Sequence, residues 1–211
     1  MDLINPQIQS YAESFSSPED ALLAEVSNYT KEHHSNHHML SGHLQGKLLE
    51  MISWMIRPRR ILEIGTYTGY SALCLAKGLA PDGELHTIEL REPDAAKAKE
   101  YFNASFTGRI ISHTGNALEL IPVINETWDL VFIDADKVSY VEYFKLVIPR
   151  VRQNGFILAD NVFFHGQVLD EVTKNKSAKA IIEFNEFIRE RADIDKVMIT
   201  VRDGLTLIRK L

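Results

Sequence analysis

The stretch Ile61-Leu62-Glu63-Ile64-Gly65-Thr66-Tyr67-Thr68-Gly69-Tyr70-Ser71 decides the fold. A short apolar run, a turn carrying two glycines and an amphipathic stretch over Tyr70–Leu79 read as a buried strand, a sharp turn and a helix. Gly65 and Gly69 would let the backbone turn tightly and approach a ligand closely. Further short apolar runs follow at Glu84–Glu89, Arg109–Ser112, Trp128–Ile133 and Gly155–Ala159, with Arg60–Ile64 the first of the set. Helical patterns fill the gaps at Glu92–Ala104, Ala117–Val123 and Ser139–Ile148. Strand and helix alternating in this way predict an α/β fold with a doubly wound, mainly parallel sheet.

The C-terminus breaks the rhythm. A helix is expected over Ala180–Arg191, and two strand-like runs, Lys196–Arg202 and Leu205–Arg209, then flank Asp203-Gly204. Asp-Gly favours a type I′ turn, so these runs predict an antiparallel hairpin. The sheet should therefore be seven-stranded with one reversed strand, a Rossmann-like architecture. Upstream, a helix should begin near Ser41, carry Leu44, Leu48, Met51, Ile52 and Met55 on one face, and stop around Arg57 before Pro58. Residues 1–40 read as an N-terminal helical extension or lid and 41–211 as the main domain. In the extension, turns are expected at Asn5-Pro6 and Ser17-Pro18, and Ser17 with Asp20 would cap a helix from Glu19 towards Tyr29.

Composition narrows the function classes. The 211 residues carry a formal net charge of −6, which gives no global attraction to nucleic acid or anionic membranes. With one cysteine, Cys74, no intrachain disulfide can form. The first ten residues lack the order of a signal peptide, and no apolar run reaches the roughly 20 residues that span a bilayer. A cytoplasmic protein without a membrane segment is expected.

Two sets of residues carry chemistry. At the first glycine turn, ligands of open α/β sheets bind beyond the strand ends. Glu89 closes the next strand, where a carboxylate can grip ribose hydroxyls. A dinucleotide would need glycine where Tyr67 stands, and Glu63 would repel its phosphates. Glu63 suits instead the cationic amino-acid part of S-adenosylmethionine; a plain strand-to-helix turn is the alternative. The second set lies at two later strand ends: Trp128-Asp129-Leu130-Val131-Phe132-Ile133-Asp134-Ala135-Asp136-Lys137 and Gly155-Phe156-Ile157-Leu158-Ala159-Asp160-Asn161. Parallel neighbours would bring Asp134, Asp160 and Asn161 together as oxygen ligands for a hard cation, Mg²⁺ by default and Mn²⁺ or Ca²⁺ otherwise. Lys137, one turn past Asp134, could take a proton from an acidified hydroxyl if its own pKa were lowered. Helix-capping acids and a surface lysine are the alternative.

With these residues in view, the chain from about Met39 onward resembles the cation-dependent class I O-methyltransferases, which include caffeoyl-CoA and catechol methyltransferases. The resemblance rests on Leu62–Ser71, Phe132–Lys137, Ala159–Val162 and Asp203-Gly204-Leu205. It implies that Asp134, Asp160 and Asn161 ligate the metal and that Lys137, with Asp134, is catalytic. It implies further that Glu63, Gly65, Tyr67 and Ser71 form the cofactor loop, that Glu89 binds the ribose, and that Gly115, Asn116 and Ala117 flank the adenine. The family more often has an acid where Asn116 stands. Met39 and Ser41 match an element covering the methionine part of the cofactor, to which Asp134 also contributes. The implied activity is methyl transfer from S-adenosylmethionine to a hydroxyl of a small vicinal-diol aromatic, catechol- or caffeoyl-like, by a homodimer. The rival readings are a tRNA hydroxyuridine methyltransferase, a nicotinamide-dependent oxidoreductase, and a non-catalytic cofactor-binding protein.

Other residues read as non-catalytic. His33 with His37, and His34 with His38, have the i, i+4 spacing of a helical metal clamp, but lack an acid or cysteine to complete it. The segment reads as a solvated stretch or substrate lid. Cys74, Tyr140 and Tyr143 read as packing residues. Phe163, Phe164 and His165 would line the acceptor pocket or simply shield it.

Overall fold

The computed structural model describes residues 4–105 and 109–211; residues 1–3 of the expected extension lie outside them. The strands are β1 (Arg60–Ile64), β2 (Glu84–Glu89), β3 (Arg109–Thr114), β4 (Trp128–Ile133), β5 (Val151–Asp160), β6 (Ile194–Ile199) and β7 (Leu205–Lys210). They form one seven-stranded sheet in the order β3-β2-β1-β4-β5-β7-β6. Neighbours from β3 to β5 pair in parallel, whereas β7 runs antiparallel to both β5 and β6. The expected doubly wound sheet with one reversed strand is thus the fold.

Alternation along the strands feeds two cores. In β4, Val131 and Ile133 point into one with Ile121, Phe144 and Phe184. Leu130 and Phe132 point into the other with Leu49, Leu73 and Ala98. The first core is covered by α6 (Ala117–Val123), α7 (Tyr140–Val147) and α8 (Lys176–Arg189). The second is covered by α2 (Ala21–His33), α3 (Gly42–Ile56), α4 (Tyr70–Ala76) and α5 (Glu92–Ala104). Leu23, Val26 and Leu40 are buried in that same core, so α2 and the segment leading into α3 are part of the packed domain.

Several local expectations are corrected. Asn5-Pro6 starts a helix, α1 (Pro6–Ser14): the Asn5 side chain accepts the Gln7 N–H at 2.8 Å and Pro6 takes the first turn, where its missing donor costs nothing. α2 begins at Ala21, because Asp20 alone caps it, accepting from Leu23 N at 2.9 Å. α8 begins at Lys176, capped by Asn175, which accepts from Ser177 N and Ala178 N. β5 starts at Val151, four residues earlier than its apolar run, across a register shift opposite Trp128 and Leu130.

The hairpin exists, but its turn is not centred on Asp203-Gly204: Gly204 N donates to Val201 O at 2.8 Å, which puts Arg202-Asp203 at the corner. Ile199 pairs with Leu205, so residues 200–204 form the connection. Asp203 and Gly204 are used elsewhere: their carbonyls accept from Phe163 N and Val162 N, and Asp203 Oδ1 accepts from His165 N at 2.6 Å. The connection closes on itself through the Gly204–Val201 bond and is held as well by the segment after β5.

Candidate active site

The carboxyl ends of β1, β2, β4 and β5 open onto one cavity of about 620 Å³. Its geometry starts at Gly65, whose φ is +102°. A Cβ there would stand 2.0 Å from the Asp134 carbonyl oxygen, so the glycine is demanded by the neighbouring strand end. At Gly69, with φ +91°, the close neighbour is the Phe102 ring at 2.7 Å. At both glycines the space of a Cβ is taken by the protein itself, and Gly65 also lines the cavity.

One wall gathers Asp134, Lys137, Asp160 and Asn161. Lys137 Nζ donates to Asp134 Oδ1 at 2.9 Å and lies 2.7 Å from the Tyr140 hydroxyl. Tyr140, wholly buried, in turn donates to the Asp160 carbonyl at 2.9 Å. Tyr140 is therefore more than a packing residue; its signal was the helical spacing from Lys137. Tyr143 likewise donates to Asp136 Oδ2 at 2.7 Å. Asn161 adopts a left-handed φ of +57°, which asparagine tolerates better than most residues, and its N–H meets Asp160 Oδ1 at 2.8 Å.

Electrostatics on this wall are unbalanced. Burial first, and then the charge of Asp134, push the Asp160 carboxyl up to about 7. Burial alone would depress Lys137, but Asp134, Tyr140 and Asp160 outweigh it and hold its pKa above the ordinary value. Lys137 is thus an ammonium ion here, not a free base. Two converging carboxylates and the adjacent asparagine form an all-oxygen donor set, and the raised Asp160 pKa marks a place short of positive charge. Those residues fit a hard divalent cation.

The residues that the sequence assigns to the cofactor line the same cavity. Met39, Ser41, Gly65, Tyr67, Ser71, Glu89 and the run Gly115–Ala117 all face the cavity. Glu89 accepts from Tyr67 N at 2.8 Å through one oxygen, and from Arg91 N at 3.0 Å and Arg91 Nε at 3.1 Å through the other. Asn116 caps α6, its Oδ1 accepting from Leu118 N at 3.0 Å, which leaves its amide N–H groups for a ligand. Glu63 is the exception. It is fully buried, is not part of the cavity lining, accepts from the Thr87 hydroxyl and keeps Oε1 unpartnered. Burial first, opposed by Thr87 and Ser71, raises it to about 8. It sits behind Ser71, through which it can reach the cavity only indirectly.

Sequence reasoning missed the latch that closes the cavity. Arg202, in the loop between β6 and β7, donates to the carbonyls of Leu40 at 2.7 Å and His38 at 3.2 Å, and to that of Ser41. No local signal announces contacts between residues so far apart in sequence. Phe164 and His165 face the cavity, whereas Phe163 packs into the core and against Gly204. Cys74 is buried, as expected, and burial pushes its thiol up. The histidine pairs do not share a helix, because α2 ends at His33. His34 meets Tyr67 edge-on at 5.0 Å instead.

Known proteins share this arrangement of fold and sequence. Residues 13–211 match the family model described as O-methyltransferase. The chain is 34% identical over 173 residues to the catechol O-methyltransferase of Niastella koreensis, covering 77% of this chain and 78% of that one. It is 28% identical over 214 residues to the probable caffeoyl-CoA O-methyltransferase 1 of Dictyostelium discoideum, covering 98% and 93%. Among solved structures it superposes on the O-methyltransferase TomG of Streptomyces achromogenes, involved in tomaymycin synthesis and determined in complex with S-adenosylmethionine. That match has a TM-score of 0.89 and 30% identity, and covers 97% of this chain and 96% of that one.

Proposed function

The chain belongs to the O-methyltransferase family, an S-adenosylmethionine-dependent class of enzymes, and on that premise we propose that it methylates one hydroxyl of a small aromatic vicinal diol with the help of a divalent cation. The observation that carries the reading is that Asp134, Lys137, Asp160 and Asn161 line the same cavity as the residues assigned to the cofactor. S-adenosylmethionine would supply the electrophilic methyl. Asp134, Asp160 and Asn161 would hold the cation, whose charge lowers the pKa of an acceptor hydroxyl.

The chain's own residues do the rest. Glu89 would exchange its contacts with Tyr67 and Arg91 for the ribose hydroxyls. Gly115, Asn116 and Ala117 would flank the adenine, and Asn116 would offer its free amide donors. Ser71, backed by Glu63, would face the amino-acid end, and Met39 and Ser41 would cover it, with residues 1–40 acting as a lid. Tyr140, 2.7 Å from the Lys137 ammonium, would help hold it where the acceptor oxygen could approach. With a cation sharing the carboxylate charge that faces it, Lys137 would lose its proton to solvent and, as the neutral amine, could then take the proton of the acceptor hydroxyl. Holding acceptor and methyl in line contributes much of the acceleration.

Methyl transfer from labelled S-adenosylmethionine to catechols, caffeoyl esters and undermodified tRNA, with and without EDTA, tests this. Transfer to a vicinal diol that EDTA abolishes and Mg²⁺ restores is expected. Persistence in EDTA would remove the cation from Asp134, Asp160 and Asn161; transfer to tRNA alone would overturn the acceptor class.

The Arg202 latch gives a second expectation. Its carbonyl contacts are charge-assisted, each worth about 1.5–3 kcal/mol. Arg202→Ala should therefore raise the Kd for S-adenosylmethionine about tenfold or more in calorimetry, with a smaller effect on kcat. An unchanged Kd would mean that the 38–41 segment does not cover the cofactor.

A further inference from the structure

We propose that Glu84, His86 and Glu126 form a second cation site, remote from the cavity, that takes a first-row divalent transition metal such as Zn²⁺. Glu84 opens β2 and His86 follows on the same face of the strand. Glu126 comes from the connection between α6 and β4. One ligand atom from each lies within 4.8 Å of the others, and among the described residues this is the one such group of histidine, cysteine and carboxylate side chains.

The independent pointer to a ligand is His86. Its side chain is 9% exposed, yet Nε2 is buried without a hydrogen-bond partner. Nε2 faces Glu84 Oε2 at 3.7 Å, too far for a hydrogen bond. The other ring nitrogen, Nδ1, is 3.0 Å from His113 Nε2, with the two rings stacked at 5.2 Å. Trp128 closes the ring edge-on at 5.5 Å. In the tautomer whose Nδ1–H donates to His113, the Nε2 lone pair faces Glu84 Oε2, two acceptors with no hydrogen between them. A ligating histidine whose second nitrogen donates to a neighbour is the usual arrangement at metal sites.

Each carboxylate keeps one oxygen for a ligand. Arg109 takes Glu84 Oε1 at 2.7 Å, and Arg60 Nε takes Glu126 Oε2 at 3.1 Å. One imidazole and two carboxylates leave the fourth position of a tetrahedral zinc site to water. Zinc bonds of about 2.0–2.1 Å require ligand atoms nearer to one another than they stand here, so Glu84 and Glu126 must close in. Their side chains, 19% and 30% exposed, have room to do so. The mixed nitrogen and oxygen donors distinguish this site from the all-oxygen wall of the cavity, which suits Mg²⁺. Because Glu84 begins β2 and the cavity lies beyond the strand's other end, an ion here would tie β2 to the segment entering β4 without touching the reaction.

EDTA-treated protein would be titrated with Zn²⁺ by calorimetry in saturating Mg²⁺, with Tm followed in parallel. One equivalent is expected to bind and to raise Tm by roughly 5 °C at a hundredfold excess over Kd. Glu126→Gln and Glu84→Gln, at partly exposed positions, should each weaken binding at least tenfold while leaving Mg²⁺-dependent methyl transfer unchanged. His86→Gln should do the same where it folds. Unchanged zinc affinity in both glutamine variants overturns the site. So does loss of binding only when His33, His34, His37 and His38 are replaced, or a Tm that follows pH but not Zn²⁺.

Discussion

Asp160→Asn is expected to lower methyl transfer at pH 7.5 by at least about a hundredfold, and at the same time to raise the Tm of the EDTA-treated protein above pH 7. The loss follows from removing one of two carboxylates that would bind the cation, since even outer-shell changes at metal sites cost 10–100-fold. The gain follows from linkage. The Asp160 carboxyl is raised from 3.8 to about 7 by burial and by Asp134. Below pH 4 both folded and unfolded chains carry it protonated, and its ionisation affects neither. Between pH 4 and 7 the unfolded chain releases the proton while the folded chain keeps it, so stability falls as pH rises. Above pH 7 the folded protein carries the full penalty, a few kcal/mol at about 1.4 kcal/mol per unit. Asparagine abolishes this titration, so the Tm difference between variant and parent should vanish near pH 4 and level off above pH 7. Saturating Mg²⁺ should reverse the order, because only the parent is stabilised by binding it. Thermal scans at several pH values, with and without Mg²⁺, read all of this. A variant less stable than its parent at pH 8 in EDTA would show that ionised Asp160 carries no net folding penalty. Trading stability for a charged site in this way is common where activity needs groups that folding alone would avoid.

The sheet was legible because its signals are local. Apolar runs of strand length, glycine at the first turn and helical spacing between them need only neighbouring residues to be read, and the strand ends carry Asp134 and Asp160 in consecutive parallel strands. What escaped reading depends on contacts between distant segments. Asp203-Gly204 has the composition of a two-residue turn, yet the corner falls on Arg202-Asp203, where Val162, Phe163 and His165 from the segment after β5 hold the connection. Glu63 has the right place in the motif, but the pleat turns it behind Ser71 and onto Thr87. Tyr140 was visible as an apolar helix position, and only the fold brings its hydroxyl between Lys137 and the Asp160 carbonyl. The Glu84–His86 pair hid in an ordinary strand alternation, its third member supplied by a loop that propensity says nothing about.

Gly65→Ala is expected to cost a large part of the fold's stability, whereas Gly69→Ala should be repairable. Both residues have positive φ, +102° and +91°, where an L side chain adds about 1–3 kcal/mol of strain. The difference lies in what the new methyl meets. At Gly65 it would stand 2.0 Å from the Asp134 carbonyl oxygen and 2.7 Å from its carbon, both backbone atoms of a central strand end. Relief requires β1 and β4 to part, although Asp134 N donates to Ile64 O at 2.8 Å across that same junction. Strain and overpacking together reach roughly 2–6 kcal/mol, against a total stability of about 5–15 kcal/mol. Any folded remainder would carry a displaced Asp134, so methyl transfer should fall further than Tm alone implies. At Gly69 the methyl meets the Phe102 ring at 2.7 Å, the end of a side chain that can be shortened. Phe102→Leu should therefore recover part of the Tm lost in Gly69→Ala, while no truncation can recover Gly65→Ala, whose obstacle is main chain. Thermal unfolding of the two single variants and of the Gly69→Ala, Phe102→Leu double variant separates the cases. Equal losses at both glycines, with no coupling to Phe102, would mean that φ strain alone selects glycine here. The Gly65 side of the comparison would then no longer explain how the glycine turn sets the position of Asp134.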